Sequence, residues 1–370
     1  MKKILEVSCN GLTNGGVQHV IMNIVSELHE KYIFDILVFT RGPEYFDDKF
    51  LSFGGHIFRL PNKGKVFKKD IDVYFRGPRI ILGVYKILKE YGPYAAIHCH
   101  NYFESAFCLL AAKLAGVDIR IVHSHNDLTN VPYSKLRKVY NAIMRIFVNK
   151  FATIRIGCSK NATDYLFGKQ KKAIIVNNGI HLEPFMIGKE NLGYTAQDRI
   201  KLLHVGNFSP QKNQSFLVEL AQELKRKKID FELKLIGGGP EEYRNGIIDK
   251  IEEYGLQEEV VVLPSDTYIP TEMKNADLFL FPSLYEGLGI VVIEAQATGL
   301  HCIVSRAVPS EADLGNIEYV DDLSLNAWTK AVINKVQNGQ KRLWVDMSTY
   351  DIKNIVRFYD KLYNGLDSLC

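Results

Sequence analysis

Short runs of β-branched residues alternate with helical patterns along this chain from one end to the other. KKILEVS (2–8) leads into VQHVIMNIVSELHE (17–30), whose apolar residues recur at helical spacing. FDILVFT, GHIFRLP, AAIHCH and IRIVHSH follow as strand candidates, with ESAFCLLAAKLAG a helix between the last two, and IRIGCS and AIIVNNG close a first series. Strands that alternate with helices predict a parallel sheet covered by helices on both faces, an α/β fold.

The alternation pauses at His181–Arg199, which is polar and glycine-containing without a clean period. It restarts with KLLHVGN, a helix over Asn213–Lys227, FELKLIG, a helix through Glu253, then EVVVLP and ADLFLFPS; the tail WVDMSTYDIKNIVRFYDKLYNGL reads as helix. A chain of 370 residues is too long for one compact core. Two doubly wound domains are expected, 1–185 and 186–350, with 351–370 a terminal helix that packs back on the first. No short internal repeat or low-complexity segment interrupts them.

Hydrophobic residues at 46% and charged residues at 24% fit a globular protein, and a net charge of +4 does not call for nucleic acid. The six cysteines are scattered with no C-x-x-C pair, so the expected setting is the reducing cytoplasm. MKKILEVSCNG has too short an apolar run for a signal peptide, and no stretch approaches the ~20 apolar residues of a membrane span.

In doubly wound sheets ligands bind beyond the carboxyl ends of the strands, so the residues after each strand carry the functional signal. Asn10–Gly16 (NGLTNGG) precedes a helix, and Gly15 and Gly16 let backbone N–H groups approach an anion; an ordinary glycine turn explains the same residues. LLHVGNFSPQKNQ sets Gly206 after a strand and Lys212 before a helix, where an ammonium adds charge to the helix dipole. LKLIGGGPEE supplies Gly237, Gly238 and Gly239, with Pro240 suited to a helix start. PSLYEGLGIVVIEAQATG (282–299) holds two carboxylates eight positions apart. Ile290-Val-Val-Ile favours strand on propensity, but the alternation demands a helix here, from about Leu288 to Thr298 with Gly299 as its stop. Glu286 then lies in the loop and Glu294 within the helix, both positioned to face a cleft between the domains.

On these residues the chain resembles the retaining glycosyltransferases of family 4, whose GT-B fold sets two Rossmann-like domains face to face. The carriers are E-x7-E (Glu286, Glu294), Gly15-Gly16, Val122-His-Ser-His-Asn126, Val176–Ile180, Gly206 with Lys212, and Gly237–Pro240. HSHN with PSLYEG and EAQATG is most similar to bacterial enzymes of capsule and exopolysaccharide assembly. The resemblance implies a nucleoside-diphosphate sugar donor, UDP rather than GDP, and a saccharide or polyprenyl-diphosphate-linked acceptor, with no metal and no other cofactor. It implies that Glu294 holds the ribose hydroxyls and that Glu286 approaches the donor sugar or its diphosphate. Lys212 would neutralise the leaving diphosphate beside N–H groups of Gly16 and of the Gly287, Leu288, Gly289 and Ile290 turn. His125 would meet the sugar near its anomeric carbon, and backbone at Gly238–Pro240 and at Ser265, Asp266 and Thr267 would hold the base. Acceptor candidates in the first domain are Asn14, His19, His100 and Asn126. One departure stands out: Asn207 occupies a position where the family usually has an arginine on the diphosphate. Lys212 and helix dipoles suffice, or Arg306 substitutes, or activity is weak. The implied chemistry is front-face transfer, with fixed positive dipoles stabilising the departing diphosphate.

His98-Cys-His100 and His123-Ser-His125 are H-x-H pairs at strand ends, in principle four imidazoles for a metal, yet the sequence offers no carboxylate or cysteine cluster to complete a site. Asp70-Ile-Asp72 sits in a lysine-rich run and reads as solvated loop. That run (Lys63, Lys65, Lys68, Lys69, Arg76, Arg79) and the basic amphipathic stretch 133–148 fit either solvated faces or a peripheral contact with an anionic membrane. Alternative readings are a nucleotide-sugar epimerase or phosphorylase of the same fold, or a catalytically silent sugar-nucleotide-binding subunit. A dehydrogenase fits poorly, since IGGGP is a weak dinucleotide fingerprint.

Overall fold

The computed structural model describes residues 1–8, 11–60, 76–129, 131–187, 199–337 and 342–365. In chain order the first series is β1 (Lys2–Ser8), α1 (Gly16–Leu28), β2 (Tyr32–Val38), α2 (Asp47–Ser52), β3 (Ile57–Arg59), α3 (Gly77–Glu90), β4 (Tyr94–Cys99), α4 (Ser105–Ala115), β5 (Ile119–Ser124), α5 (Lys135–Phe151), β6 (Ile154–Gly157), α6 (Lys160–Phe167) and β7 (Ile174–Ile175). The second is β8 (Ile200–Val205), α7 (Gln214–Arg226), β9 (Phe231–Ile236), α8 (Glu241–Glu253), β10 (Val260–Leu263), α9 (Ile269–Asn275), β11 (Leu278–Phe281), α10 (Ile290–Ala297), β12 (His301–Ser305), β13 (Ile317–Val320) and α11 (Leu325–Gln337). A last helix, α12 (Ile352–Tyr363), ends the described chain.

The strands form a seven-stranded sheet, β3-β2-β1-β4-β5-β6-β7, and a six-stranded sheet, β10-β9-β8-β11-β12-β13. Every pairing in both is parallel. The central strands are mostly apolar on both faces because helices cover both: Ile4, Leu5 and Val7 of β1, and Leu278 to Phe281 of β11, are fully buried, with Glu6 a buried charged exception in β1. The chain divides into a unit of residues 1–180 and 349–370 and a unit of residues 181–348.

The tail departs from the all-helical expectation. Asp346 accepts from the Ser348 backbone N–H, and Asp351 caps α12 by accepting from the Lys353 N–H, each at 2.9 Å. Short carboxylates that satisfy their own backbone compete with the helix ladder, so the helix starts at Ile352 rather than near Trp344. The segment before it crosses to the first unit, where Ile180 N–H donates to the Tyr350 carbonyl (2.8 Å) and Ile352 N–H to that of Ile180 (3.1 Å). α12 then buries Ile352, Val356, Tyr359, Leu362 and Tyr363, one face at helical spacing, in the first unit.

Candidate active site

Three turns at the carboxyl ends of β8, β9 and β10 interlock. The Phe208 N–H, just after β8, donates to the Gly238 carbonyl, just after β9, at 2.6 Å. A Cβ on Gly237 would sit 2.1 Å from the Gly206 carbonyl oxygen, so this approach requires glycine. Gly239 has φ +134°, and Pro240 follows as the N-cap of α8. The turn Ser265-Asp266-Thr267, exposed at Ser265 and Asp266, lies beside Gly238, held by a Thr267 hydroxyl bond to the Pro264 carbonyl (2.7 Å).

The turn after β8 also docks on the loop after β11. Leu284 N–H donates to the Gln211 carbonyl and Gln211 Nε2 to the Tyr285 carbonyl, both at 2.8 Å. Asn213 takes the left-handed conformation (φ 58°) where α7 begins. These constraints bring Lys212 Nζ to 2.5 Å from Glu286 Oε1 and 4.5 Å from the Phe281 ring centroid. Glu286 is therefore a buried carboxylate with a charged partner.

Gly289 (φ 82°) turns the chain into α10, which starts at Ile290, two residues later than the sequence pattern suggests. The helix is apolar almost all round, and the buried Gln296 anchors it through bonds to the Val292 and Ala312 carbonyls and from the Leu314 N–H. Glu294 is half-buried in it and has neither a hydrogen bond nor an ion pair among the described residues. Burial pushes its carboxyl up to about 8. The two glutamates of one motif thus occupy opposite electrostatic situations. Asn207 is exposed, with its carbonyl accepting from Gln214 Nε2 (3.1 Å). Arg306 bonds Asp321 at 2.5 Å and lies over the Tyr319 ring.

In the first unit Gly15 caps α1 and Gly16 opens on free space, with nothing within 4 Å of where a Cβ would be. Asn14 Oδ1 and His19 Nε2 lie 2.8 Å apart, and Asn126 Nδ2 donates to the Tyr102 hydroxyl (3.1 Å). The two H-x-H pairs converge into one buried cluster: ring centroids of His98 and His100 are 4.2 Å apart, those of His123 and His125 4.0 Å, and those of His100 and His125 4.9 Å. The expectation that no carboxylate joins them is corrected, because Glu6 of β1 lies in register with His98 and its Oε2 is 2.9 Å from His100 Nε2. Tyr363 of α12 donates to Glu6 Oε1 (3.0 Å) and contacts His98 Nδ1 (2.9 Å). Glu6 and Tyr363 escaped the sequence reading; the available signal was a lone carboxylate inside the apolar run ILEV. Burial pushes Glu6 up, but His98 and the hydrogen bonds of His100 and His98 outweigh it and hold the carboxylate well below its usual range. Burial, reinforced by neighbouring imidazoles, lowers His100 to about 4 and holds His123 and His125 well below the ordinary value.

Asp70, Asp72, Lys63, Lys65, Lys68 and Lys69 lie outside the described residues. Arg76 and Arg137 both pair with Glu104, at 3.0 and 3.1 Å. The basic stretch is helical as α5, whose Leu136, Val139, Ile143, Ile146 and Phe147 are each at least 40% exposed. No helix among the described residues is long and apolar enough to cross a membrane.

The model of the family Glycosyltransferase Family 4 matches residues 14–184, and that of Glycosyl transferases group 1 matches residues 194–316. A Bacillus subtilis (strain 168) protein bearing the name glycosyltransferase EpsF is 32% identical over 357 residues, covering 92% of this chain and 89% of that protein. The chain belongs to the family 4 glycosyltransferases. Within this glycosyltransferase the first match spans Gly15, Gly16, His100, His125 and Asn126, and the second spans Lys212, Gly237–Pro240, Glu286 and Glu294. An Escherichia coli UDP-Gal:alpha-D-GlcNAc-diphosphoundecaprenol alpha-1,3-galactosyltransferase is 28% identical, over 70% of this chain and 74% of its own. The capsular polysaccharide biosynthesis glycosyltransferase CapH of Staphylococcus aureus is 23% identical over 98% of this chain and 99% of its own. Among solved structures, Anabaena HepE in complex with UDP and glucose shares the fold, with a TM-score of 0.79 at 16% identity over 99% of this chain and all of that one. The fold is GT-B.

Proposed function

We propose that this glycosyltransferase moves a sugar from a UDP-sugar to a saccharide or polyprenyl-diphosphate-linked saccharide, with retention and without a metal, in capsule or exopolysaccharide assembly. The observation that carries the donor site is Glu294. A half-buried carboxyl with no partner among the described residues is what a pair of ribose hydroxyls would satisfy. Lys212 is already held at the carboxyl end of the second sheet by Glu286, so a diphosphate arriving there meets an oriented ammonium. The backbone N–H of Ile290 at the start of α10 and the interlocked turns at Gly238–Pro240 and Ser265–Thr267 supply the neutral contacts. The first unit, with Asn14, His19 and Asn126, takes the acceptor; His100 is buried with both ring nitrogens engaged, by Glu6 and His125.

Retention by front-face attack fits the surroundings of the two glutamates. Glu286 is engaged by Lys212, and Glu294 keeps its proton near neutrality, so neither is a free nucleophile. UDP as donor is supported by the name of the Escherichia coli relative and by the ligand of HepE. The lipid-linked acceptor is supported by the same relative, and the polysaccharide role by CapH. A membrane surface is the fitting place for such an acceptor. The exposed apolar stripe of α5, with Lys135, Lys138 and Lys150 and no acidic residue on the helix, suits an anionic leaflet.

The test is transfer from UDP-glucose, UDP-galactose, UDP-N-acetylglucosamine and GDP-mannose to undecaprenyl-diphosphate-linked sugars, with and without EDTA. The expected product carries the donor's anomeric configuration by NMR and forms equally with EDTA. Transfer from GDP-mannose alone, or an inverted product, overturns the reading. Asn207 favours one second reading: UDP binding without any turnover is the signature of a silent sugar-nucleotide-binding subunit.

A further inference from the structure

The four buried histidines of the first unit admit two uses. His98, His100 and His123 offer nitrogens within 4.8 Å of one another, a spacing that invites a cation. Yet both ring nitrogens of His100 are already engaged, Nε2 with Glu6 at 2.9 Å and Nδ1 with His125 Nε2 at 2.6 Å. A cation on His100 has to break one of these bonds.

The two bonds fix every proton along the line. Glu6 is fully buried and ionised, so it accepts, and His100 donates from Nε2. A neutral His100 then has a lone pair on Nδ1, which accepts from His125 Nε2–H. A neutral His125 in turn has its lone pair on Nδ1, and that atom has no hydrogen-bond partner among the described residues. Tyr363, whose hydroxyl is kept protonated by burial and by Glu6, donates to the other oxygen of Glu6 and ties the line to α12. This is the arrangement by which a carboxylate behind an imidazole sets the tautomer of the one in front.

We infer that Glu6 and His100 are positioning residues that hold His125 as a neutral imidazole protonated on Nε2. His125 Nδ1, buried in this structure, is then a hydrogen-bond acceptor, so a ligand group that reached it would have to be a donor such as a sugar hydroxyl, not a phosphate oxygen. The part of this inference that concerns a sugar rests on the proposed transferase site; the tautomer does not.

The experiment separates the two. The protein is labelled with 15N-histidine, and His125 is assigned by its loss in His125→Gln. Long-range 15N–1H correlation at pH 7 is expected to show His125 protonated on Nε2 and bare on Nδ1. His100→Leu removes the acceptor and is expected to give mixed tautomers. His100→Gln, whose amide can donate to Glu6 and accept from His125, is expected to restore the single form, which a merely space-filling role would not do. The Nδ1–H tautomer or a cationic His125 in the wild type overturns the inference. So does one equivalent of zinc in the purified protein or after titration with zinc chloride, if its binding is lost in His100→Leu, since one of the two bonds of His100 would then be replaced by a metal bond. UDP binding is measured on the same samples by thermal shift: its absence in the wild type counts against the transferase reading and leaves the tautomer result standing. If UDP binds, the expected effect of His100→Leu is at least a tenfold fall in kcat on the productive UDP-sugar with its KM within about twofold; unchanged kcat in a variant with mixed tautomers overturns the link to the sugar.

Discussion

The carboxyl ends of the two sheets share a topology and serve opposite ends. In the first unit the positions at and after β1, β4 and β5 are filled by Glu6, His98, His100, His123 and His125, and the carboxylate is answered by imidazole and phenol from inside the protein. In the second unit the corresponding turns are glycine-rich and locked to one another by backbone, and of the two motif carboxyls Glu294, in α10, has no partner among the described residues. A buried carboxylate is tolerated only with partners, and which partner is missing tells where a ligand belongs. The buried carboxylate of the first sheet end is satisfied internally; Glu294 of the second is not, among the described residues.

The largest effect should come from breaking the pair that the second unit does possess. Lys212→Ala leaves Glu286 buried without its cation and should lower stability by about 3 kcal/mol in urea unfolding. Adding Glu286→Gln should recover part of that loss, because the uncompensated charge is gone. A single mutant as stable as wild type would mean that the pair is solvated and that the contrast between the two glutamates is false.

Asn207→Arg sharpens the contrast from the ligand's side. An added guanidinium beside the Gly206 turn should tighten UDP about tenfold in calorimetry, the size of one good charge-assisted bond. No gain would place the diphosphate elsewhere.

The pH dependence of stability tests Glu294 without any ligand. Its folded value, about 8, lies above the ordinary 4.5. The unfolded chain therefore releases this proton first, so its contribution is complete below pH 4.5 and is lost as pH rises towards 8. Unfolding midpoints should fall across that window for wild type, with the fall reduced in Glu294→Gln. Parallel curves would show the carboxyl to be solvated.

The smallest effect on folding concerns the first unit's outer face. Ile146→Glu on the exposed stripe of α5 should change stability by no more than about 0.5 kcal/mol. It should also reduce sedimentation with phosphatidylglycerol vesicles several-fold relative to phosphatidylcholine. Equal binding by both proteins would remove α5 from the membrane account.

Much of the fold is legible in the sequence because buried parallel strands read as short apolar runs between helical periods. That is why β1, β8, β9 and β11 fall where the pattern sets them. The exception is instructive: Trp344–Tyr350 carries a helix-like pattern, but Asp346 and Asp351 spend their carboxylates on local N–H groups, a competition that periodicity does not register. At the site, Glu286, Lys212 and the glycine turns are legible because each sits in a loop after a strand, and Glu294 because it follows Glu286 at a fixed spacing into the next helix. It does not reveal which glutamate is paired, because the Lys212–Glu286 bond spans 74 residues. Glu6 and Tyr363 are hidden more deeply: 357 residues separate them, and only the return of α12 to the first sheet makes them neighbours.

If Glu294 is the group that grips the nucleotide, titration calorimetry with UDP and GDP on wild type and Glu294→Ala will show it. Wild type should bind UDP more tightly than GDP, and the variant should lose about a hundredfold in UDP affinity, the worth of two hydrogen bonds to a buried carboxyl group, while folding as well as wild type. A variant that binds UDP as tightly as wild type would contradict it.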